Sequence, residues 1–348
     1  MFNASRRHLM LTSLGATIAA SCGLARAAST LDWVDPELRS ALAPMLAPSP
    51  FANLPPAQMI NALRHARFGP DPTPLASVPY QRRLIASGSA APMIPLYIIN
   101  ARAGAHRPAI LHTHGGGFIL GSAKSDLIDL QKTAQALDCV IVSVDYRLAP
   151  ETRYHGSIAD NYAGLCWLAD HGAELGADTT RIALMGESAG GGHAALLALK
   201  ARDDGPVKPI FQMLIYPMLD DRTGGSIMPK AHEGGVLWSP AMNRLGWSSF
   251  LGMPPGGPGV PAAAVPARRG DLAGLPKCFI GVGSIDLFVD EDLEYGRRLI
   301  DAGVETELVV VPGAYHGFDG IAPQAGVSRR FEAARLTALR RAFSITSA

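Results

Sequence analysis

Seven short runs of branched and apolar residues set the limits on how this chain can fold: PLYIINA, PAILHTHG, CVIVSVDYR, RIALMGES, PIFQMLIYP, KCFIGVGS and TELVVVPG. Most are apolar almost without a break, the pattern of strands covered on both faces. Helical patterns lie between and after them, near residues 124–138, 157–171, 189–203, 290–302 and 327–343. Strands alternating with helices predict an α/β chain whose mostly parallel central sheet is flanked by helices and wound by right-handed crossovers. Ligand sites in such sheets gather at the C-terminal ends of the strands. A chain of 348 residues has core enough for one large domain or two small ones.

Two stretches break the alternation. Residues 28–80 are proline-rich and hold helical fragments such as AQMINALRHARF. Residues 218–266 form an insertion too long for an ordinary connection. Its Trp238, Met242, Trp247 and Phe250 would be wasted in a mobile surface loop. Both stretches are expected to fold over the strand ends as a cap, which leaves 81–217 and 267–348 as the α/β core.

Residues 1–27 read as a cleavable export signal, with Arg6 and Arg7, a mildly apolar stretch, and the small-residue sequence ARA before Ala28. SRRHLM is similar to a twin-arginine signal, with Leu9 where Phe is usual. The apolar stretch is too short and too rich in Ala, Gly and Thr to span a bilayer. Cys22 lacks the leucine that usually precedes a lipidated cysteine. The expected location is therefore periplasmic or secreted. Removing the signal leaves Cys139, Cys166 and Cys278, an odd number with no zinc spacing. A net charge of +1 without a basic run gives nucleic acid or an anionic membrane nothing to hold. No stretch has the pattern of a metal, nucleotide or flavin site, so no cofactor is expected, and the partner is a small-molecule substrate.

GESAG, at 186–190, is weak evidence by itself in a chain with 37 glycines. Its context is more specific, because a strand precedes it and a helix of small residues follows. That geometry strains Ser188 and points its hydroxyl at the upper edge of the sheet. A serine hydroxyl needs a base. After Ser188 only His193, His232 and His316 remain. His193 falls in the following helix and His232 in the insertion. His316 follows the last apolar strand on a glycine-flanked loop, from which it can reach the nucleophile. The acid comes from IDLFVDED, after the preceding strand. Asp286 stands at the strand end, whereas Asp290 reads as the solvated start of a helix. Attack on a carbonyl also needs preorganised donors for the oxyanion. In LHTHGGGFILGS the glycines let backbone N–H groups come close to a ligand, so Gly116, Gly117 and the N–H of Ala189 are the candidate oxyanion hole. His114 is expected to position that loop and His112 to be structural.

HGGGF, DYRLAPE, GESAGG, IDLFVDE and YHGF, in that order, closely resemble the hormone-sensitive-lipase-like branch of the α/β-hydrolases. The resemblance runs from about residue 80 to 318. It implies an α/β-hydrolase fold and cofactor-free hydrolysis of carboxylic esters, with Ser188 as nucleophile, His316 as base and Asp286 as acid. The glycines after His114, beginning with Gly115, are then the oxyanion loop, and residues 28–80 and 218–250 build the cap. Asp145, in DYRLAPE, is structural by the same resemblance. Two departures stand out: Glu187 where this branch more often has Asp, and Leu287–Phe288 where a proline usually follows the acid. The expected activity is that of a serine carboxylesterase for short-to-medium acyl or acetyl esters. The alternatives are an amidase or deacetylase with the same triad, or a non-catalytic small-molecule receptor.

Overall fold

The computed structural model of the protein describes residues 31–345, apart from 47–49, 52, 67–72 and 89–90. The export-signal reading of residues 1–27 thus lies outside the described residues. Eight strands form one sheet: β1 (Tyr80–Ala86), β2 (Met93–Ile99), β3 (Arg107–Thr113), β4 (Val140–Val144), β5 (Ala177–Glu187), β6 (Phe211–Ile215), β7 (Lys277–Gly283) and β8 (Thr306–Val311). Their order is β1-β2-β4-β3-β5-β6-β7-β8. β2 runs antiparallel to both β1 and β4, and every other pairing is parallel. The helices are α1 (Pro36–Leu42), α2 (Pro56–His65), α3 (Leu127–Leu137), α4 (Tyr154–Leu175), α5 (Ala189–Asp204), α6 (Pro240–Leu251), α7 (Val289–Asp301), α8 (Phe318–Ile321) and α9 (Gly326–Ala342).

The continuous apolar runs are explained by what covers them. Successive strand residues face opposite sides of a sheet. Ile110, Ile141, Met185, Met213 and Phe279 share one core with Leu38 of α1, Leu130 of α3 and Phe331 of α9. Their neighbours Leu111, Val142, Leu184, Leu214 and Ile280 share the other with Leu165 of α4, Leu197 of α5 and Leu299 of α7. Both faces are dry, so neither set tolerates a polar residue. Truncating any of these leucines or isoleucines to alanine costs about 2–5 kcal/mol.

β1 is the strand that the sequence reading missed. Only Ile85 is buried along it, so this edge strand lacks the apolar run that marks the others.

A third apolar cluster sits at the C-terminal strand ends. Trp238, Trp247, Phe250 and Leu251 of the insertion pack there with Ile60 of α2, Phe118, Ala189, Met218, Leu287 and Phe288. α6 is built by local rules: Ser239 accepts from the Met242 N–H at 3.3 Å, Pro240 opens the helix and Gly252 closes it at φ +70°. Cys139, Cys166 and Cys278 are all free thiols. Among the described residues no helix is long and apolar enough to cross a membrane.

Candidate active site

β5 ends at Glu187 and α5 begins at Ala189, so Ser188 is the whole of the turn between them. Its φ of 56° and ψ of −123° are strained for a residue with a side chain. Three backbone hydrogen bonds hold it there: its N–H donates to Ile215 O at 2.9 Å, and its carbonyl accepts from Gly192 and Met218. The turn is possible only because Gly190 lacks a side chain. A Cβ there would lie 2.0 Å from the carbonyl oxygen of Thr113.

The turn brings three distant residues together. The Ser188 hydroxyl donates to His316 Nε2 at 2.9 Å. His316 Nδ1–H donates to Asp286 Oδ2, also at 2.9 Å, which leaves Nε2 as the nitrogen with a lone pair. The other Asp286 oxygen accepts from the Phe288 N–H at 3.0 Å, so the carboxylate cannot turn away. All three side chains are buried. Asp290, the other candidate acid, points elsewhere and pairs with Lys230 at the surface.

The glycine loop lies against the same turn, with a Cβ on Gly115 falling 3.6 Å from that of Ser188. The N–H groups of Gly116 and Gly117 meet no acceptor among the described residues. Ala189 opens α5, and the first N–H groups of a helix have no intrahelical partner. The N–H groups of Gly116, Gly117 and Ala189 are thus without a backbone acceptor among the described residues. Trp238 roofs the loop so closely that a Cβ on Gly117 would meet its ring at 2.1 Å.

Residues 110–320 match a family model described as the alpha/beta hydrolase fold. Carboxylesterase NlhH of Mycobacterium tuberculosis is 35% identical over 241 residues, which span 68% of this chain and 74% of that one. The chain belongs to the α/β-hydrolase family. Its motifs put it in the hormone-sensitive-lipase-like branch. Esterase LipI of the same organism is 37% identical over 222 residues, 63% of this chain and 68% of its own. Among solved structures, a bacterial heroin esterase at 36% identity superposes with a TM-score of 0.78, covering 90% of this chain and 98% of that one.

The other histidines of this α/β-hydrolase have separate places. His114 Nδ1 bonds the Gly115 carbonyl at 2.8 Å, and its ring stacks on Tyr146 at 4.1 Å. Tyr146 in turn donates to the His114 carbonyl at 2.7 Å. Burial holds the His114 imidazole at a pKa of about 4, so it is uncharged at neutral pH. His193 is fully enclosed by Phe118, Tyr146 and Phe250. His232 stacks on Trp33 at the surface. Asp145 accepts from the Ala123 N–H at 2.9 Å and so ties down the chain after the glycine loop.

His112 bonds Ser143 through Nδ1 and Glu187 through Nε2, each at 2.8 Å. Burial opposes its charge, but the Glu187 carboxylate more than offsets this and raises its pKa. With Asp126 these two gather three donor atoms within 4.8 Å, the one such cluster among the described residues. Its imidazole and one carboxylate are already spent on each other.

Sequence reasoning did not find the two rings that flank the His316 imidazole. Tyr216 and Phe288 meet His316 edge-on, at 4.9 Å and 5.0 Å between centroids. The signal was position alone, since Tyr216 immediately follows β6 and Phe288 lies in the loop after β7.

Proposed function

We propose that this α/β-hydrolase is a serine carboxylesterase that cleaves short-to-medium acyl esters, acetyl esters among them, through an acyl-enzyme. That it is a carboxylic ester hydrolase rests on its relatives, which are named as esterases and carboxylesterases. The observation that carries the mechanism is the Ser188–His316–Asp286 chain of two 2.9 Å hydrogen bonds beside three N–H groups without a backbone acceptor among the described residues.

Ser188 Oγ attacks the ester carbonyl while its proton passes to His316 Nε2. Asp286 holds the imidazole in the right tautomer and stabilises the imidazolium. The oxyanion takes hydrogen bonds from Gly116, Gly117 and Ala189, each such donor contributing about 10²–10³ in kcat. Collapse breaks the bond to the alcohol, which leaves with the proton from His316. Water then attacks the acyl-serine with His316 again as base, and releases the acid.

The short acyl preference is supported by the apolar cluster of Trp238, Leu287 and Phe288 beside the nucleophile. A relative named ethyl acetate hydrolase, at 31% identity, supports it as well. Export, proposed from the pattern of residues 1–27, is checked by sequencing the mature N-terminus of the periplasmic protein.

Hydrolysis of p-nitrophenyl esters from acetate to laurate, by the wild type and Ser188→Ala, tests the activity. A maximum at short chains that vanishes in the variant is the expected result. Equal turnover by Ser188→Ala, or an optimum at laurate, refutes the corresponding half of the reading.

A further inference from the structure

His316 rides on a loop with glycines at φ +64° (Gly313) and +71° (Gly317). Before the histidine, the Gly313 N–H donates to Ser284 Oγ at 2.9 Å and the Ala314 carbonyl accepts from Ile285. After the histidine, the Phe318 N–H donates to Tyr315 O and the Ile321 N–H to Gly317 O, and side chains add a further tether. Asp319, in α8, accepts from the Tyr216 hydroxyl at 2.9 Å through Oδ1. Through Oδ2 it takes a 2.7 Å hydrogen bond from Arg335 of α9. The Tyr216 ring in turn rests on the His316 imidazole. Tyr216 is held at φ +36°, a conformation that a bulky residue adopts only when its surroundings impose it. Its N–H donates to Gly281 O at 2.7 Å.

The contacts continue past Arg335. Its guanidinium, largely buried, feels the charges of both Asp319 and Glu187. Glu187 is the residue before the nucleophile and is bonded to His112. Charges of alternating sign therefore run from the strand end that carries Ser188 to the loop that carries His316.

We propose that Tyr216, fixed by Asp319 and Arg335, is a positioning residue for the reaction: it holds the His316 ring at the distance and angle from which Nε2 takes the Ser188 proton. This rests on the hydrolase reading above. Tyr216 acts through the imidazole, which its ring meets edge-on. Misplacement of a catalytic group by about 1 Å lowers turnover by up to about 100-fold. Substrate binding, set by the glycine loop and the insertion, is left alone.

The test uses Tyr216→Phe, which keeps the ring and removes one oxygen, with Asp319→Asn and the double variant. Active sites are titrated with a fluorophosphonate, kcat and KM are measured on p-nitrophenyl acetate, and melting is followed in parallel. We expect kcat per titrated site to fall by about 10-fold to 100-fold in each single variant, with KM within about two-fold. The double variant should lose no more than the worse single one, because both break the same contact. Wild-type kcat in Tyr216→Phe, or losses that multiply in the double variant, overturn the inference. Should Asp319→Asn not fold, Tyr216→Phe alone decides by its kcat against its KM. A wild type inert to both ester and fluorophosphonate overturns the hydrolase reading and this inference with it. An active wild type with unimpaired variants overturns only the inference.

Discussion

Gly190→Ala is the smallest change that should separate the nucleophile from its oxyanion donors. A Cβ at Gly190 would stand 2.0 Å from the Thr113 carbonyl oxygen and 2.7 Å from the carbonyl carbon and oxygen of His114. Such carbons do not approach neighbours within 3.0 Å, so the two backbones must part by about 1.0 Å. Neither side yields readily. Thr113 is bound into β3 and donates its hydroxyl to the Gly190 carbonyl at 2.7 Å. The His114 carbonyl is held by Tyr146. The displacement therefore passes to the spacing between Ser188 and the N–H groups of Gly116 and Gly117. A shift of that size at the reacting atoms corresponds to about a 100-fold loss of kcat. Overpacking of this kind costs about 1–3 kcal/mol, which for a chain of this length lowers the melting temperature by about 1–4 °C. The assay is steady-state hydrolysis of p-nitrophenyl acetate with melting followed by fluorescence. Gly320→Ala is the control, since a Cβ there meets nothing within 4 Å, and it should keep full activity. If Gly190→Ala keeps more than half of wild-type kcat and melts within about a degree of it, the backbones do not meet there and the reasoning fails.

Three further outcomes follow from the same contacts. Asp286→Asn should lower kcat by about 10³–10⁴-fold through loss of the imidazole's tautomer and support, whereas Asp290→Asn, whose carboxylate serves Lys230, should leave kcat unchanged; equal losses would remove Asp286 from the triad. Trp238→Ala should destabilise the fold by about 3–5 kcal/mol and move the p-nitrophenyl optimum to longer chains, and an unchanged optimum would mean that the ring does not bound the acyl pocket. Burial holds His193 at a pKa of about 3 and His114 at about 4, both below the unfolded value of 6.5. Folding thus excludes protons that the unfolded chain binds, so stability is full above pH 6.5 and falls as the pH drops toward 4, by about 1.4 kcal/mol per pH unit for each histidine. His193 has no hydrogen-bond partner for either nitrogen, so His193→Leu should flatten that fall in melting curves from pH 8 to 4, and an unchanged slope would show that His193 does not titrate there.

Much of the fold was legible because its strands are short, continuous and closed by glycine or proline. A strand covered on both faces is apolar at most positions, and that leaves a mark in the chain whatever its neighbours are. The same holds for the nucleophile turn, where the need for a serine between small residues is local. β1 left no such mark, because only one of its residues meets the core. α6 had its start and stop written in Ser239, Pro240 and Gly252, yet it is read with assurance only once the surface it packs on is known.

The triad lay between these extremes. Chain order narrowed the base to His316 and the acid to the loop after β7, and position favoured Asp286 over Asp290, but only the fold shows which of the two faces His316. Tyr216, Asp319, Arg335, Glu187 and His112 form no motif at all. They lie on separate elements, with Tyr216 and Asp319 standing 103 positions apart. Written along the chain is what the backbone needs at each position: branched residues for dry strands, glycines where chains touch, a serine on a strained turn. Which side chains meet across the strand ends emerges only in the folded molecule, because such contacts depend on how elements pack and not on the spacing of residues along the chain.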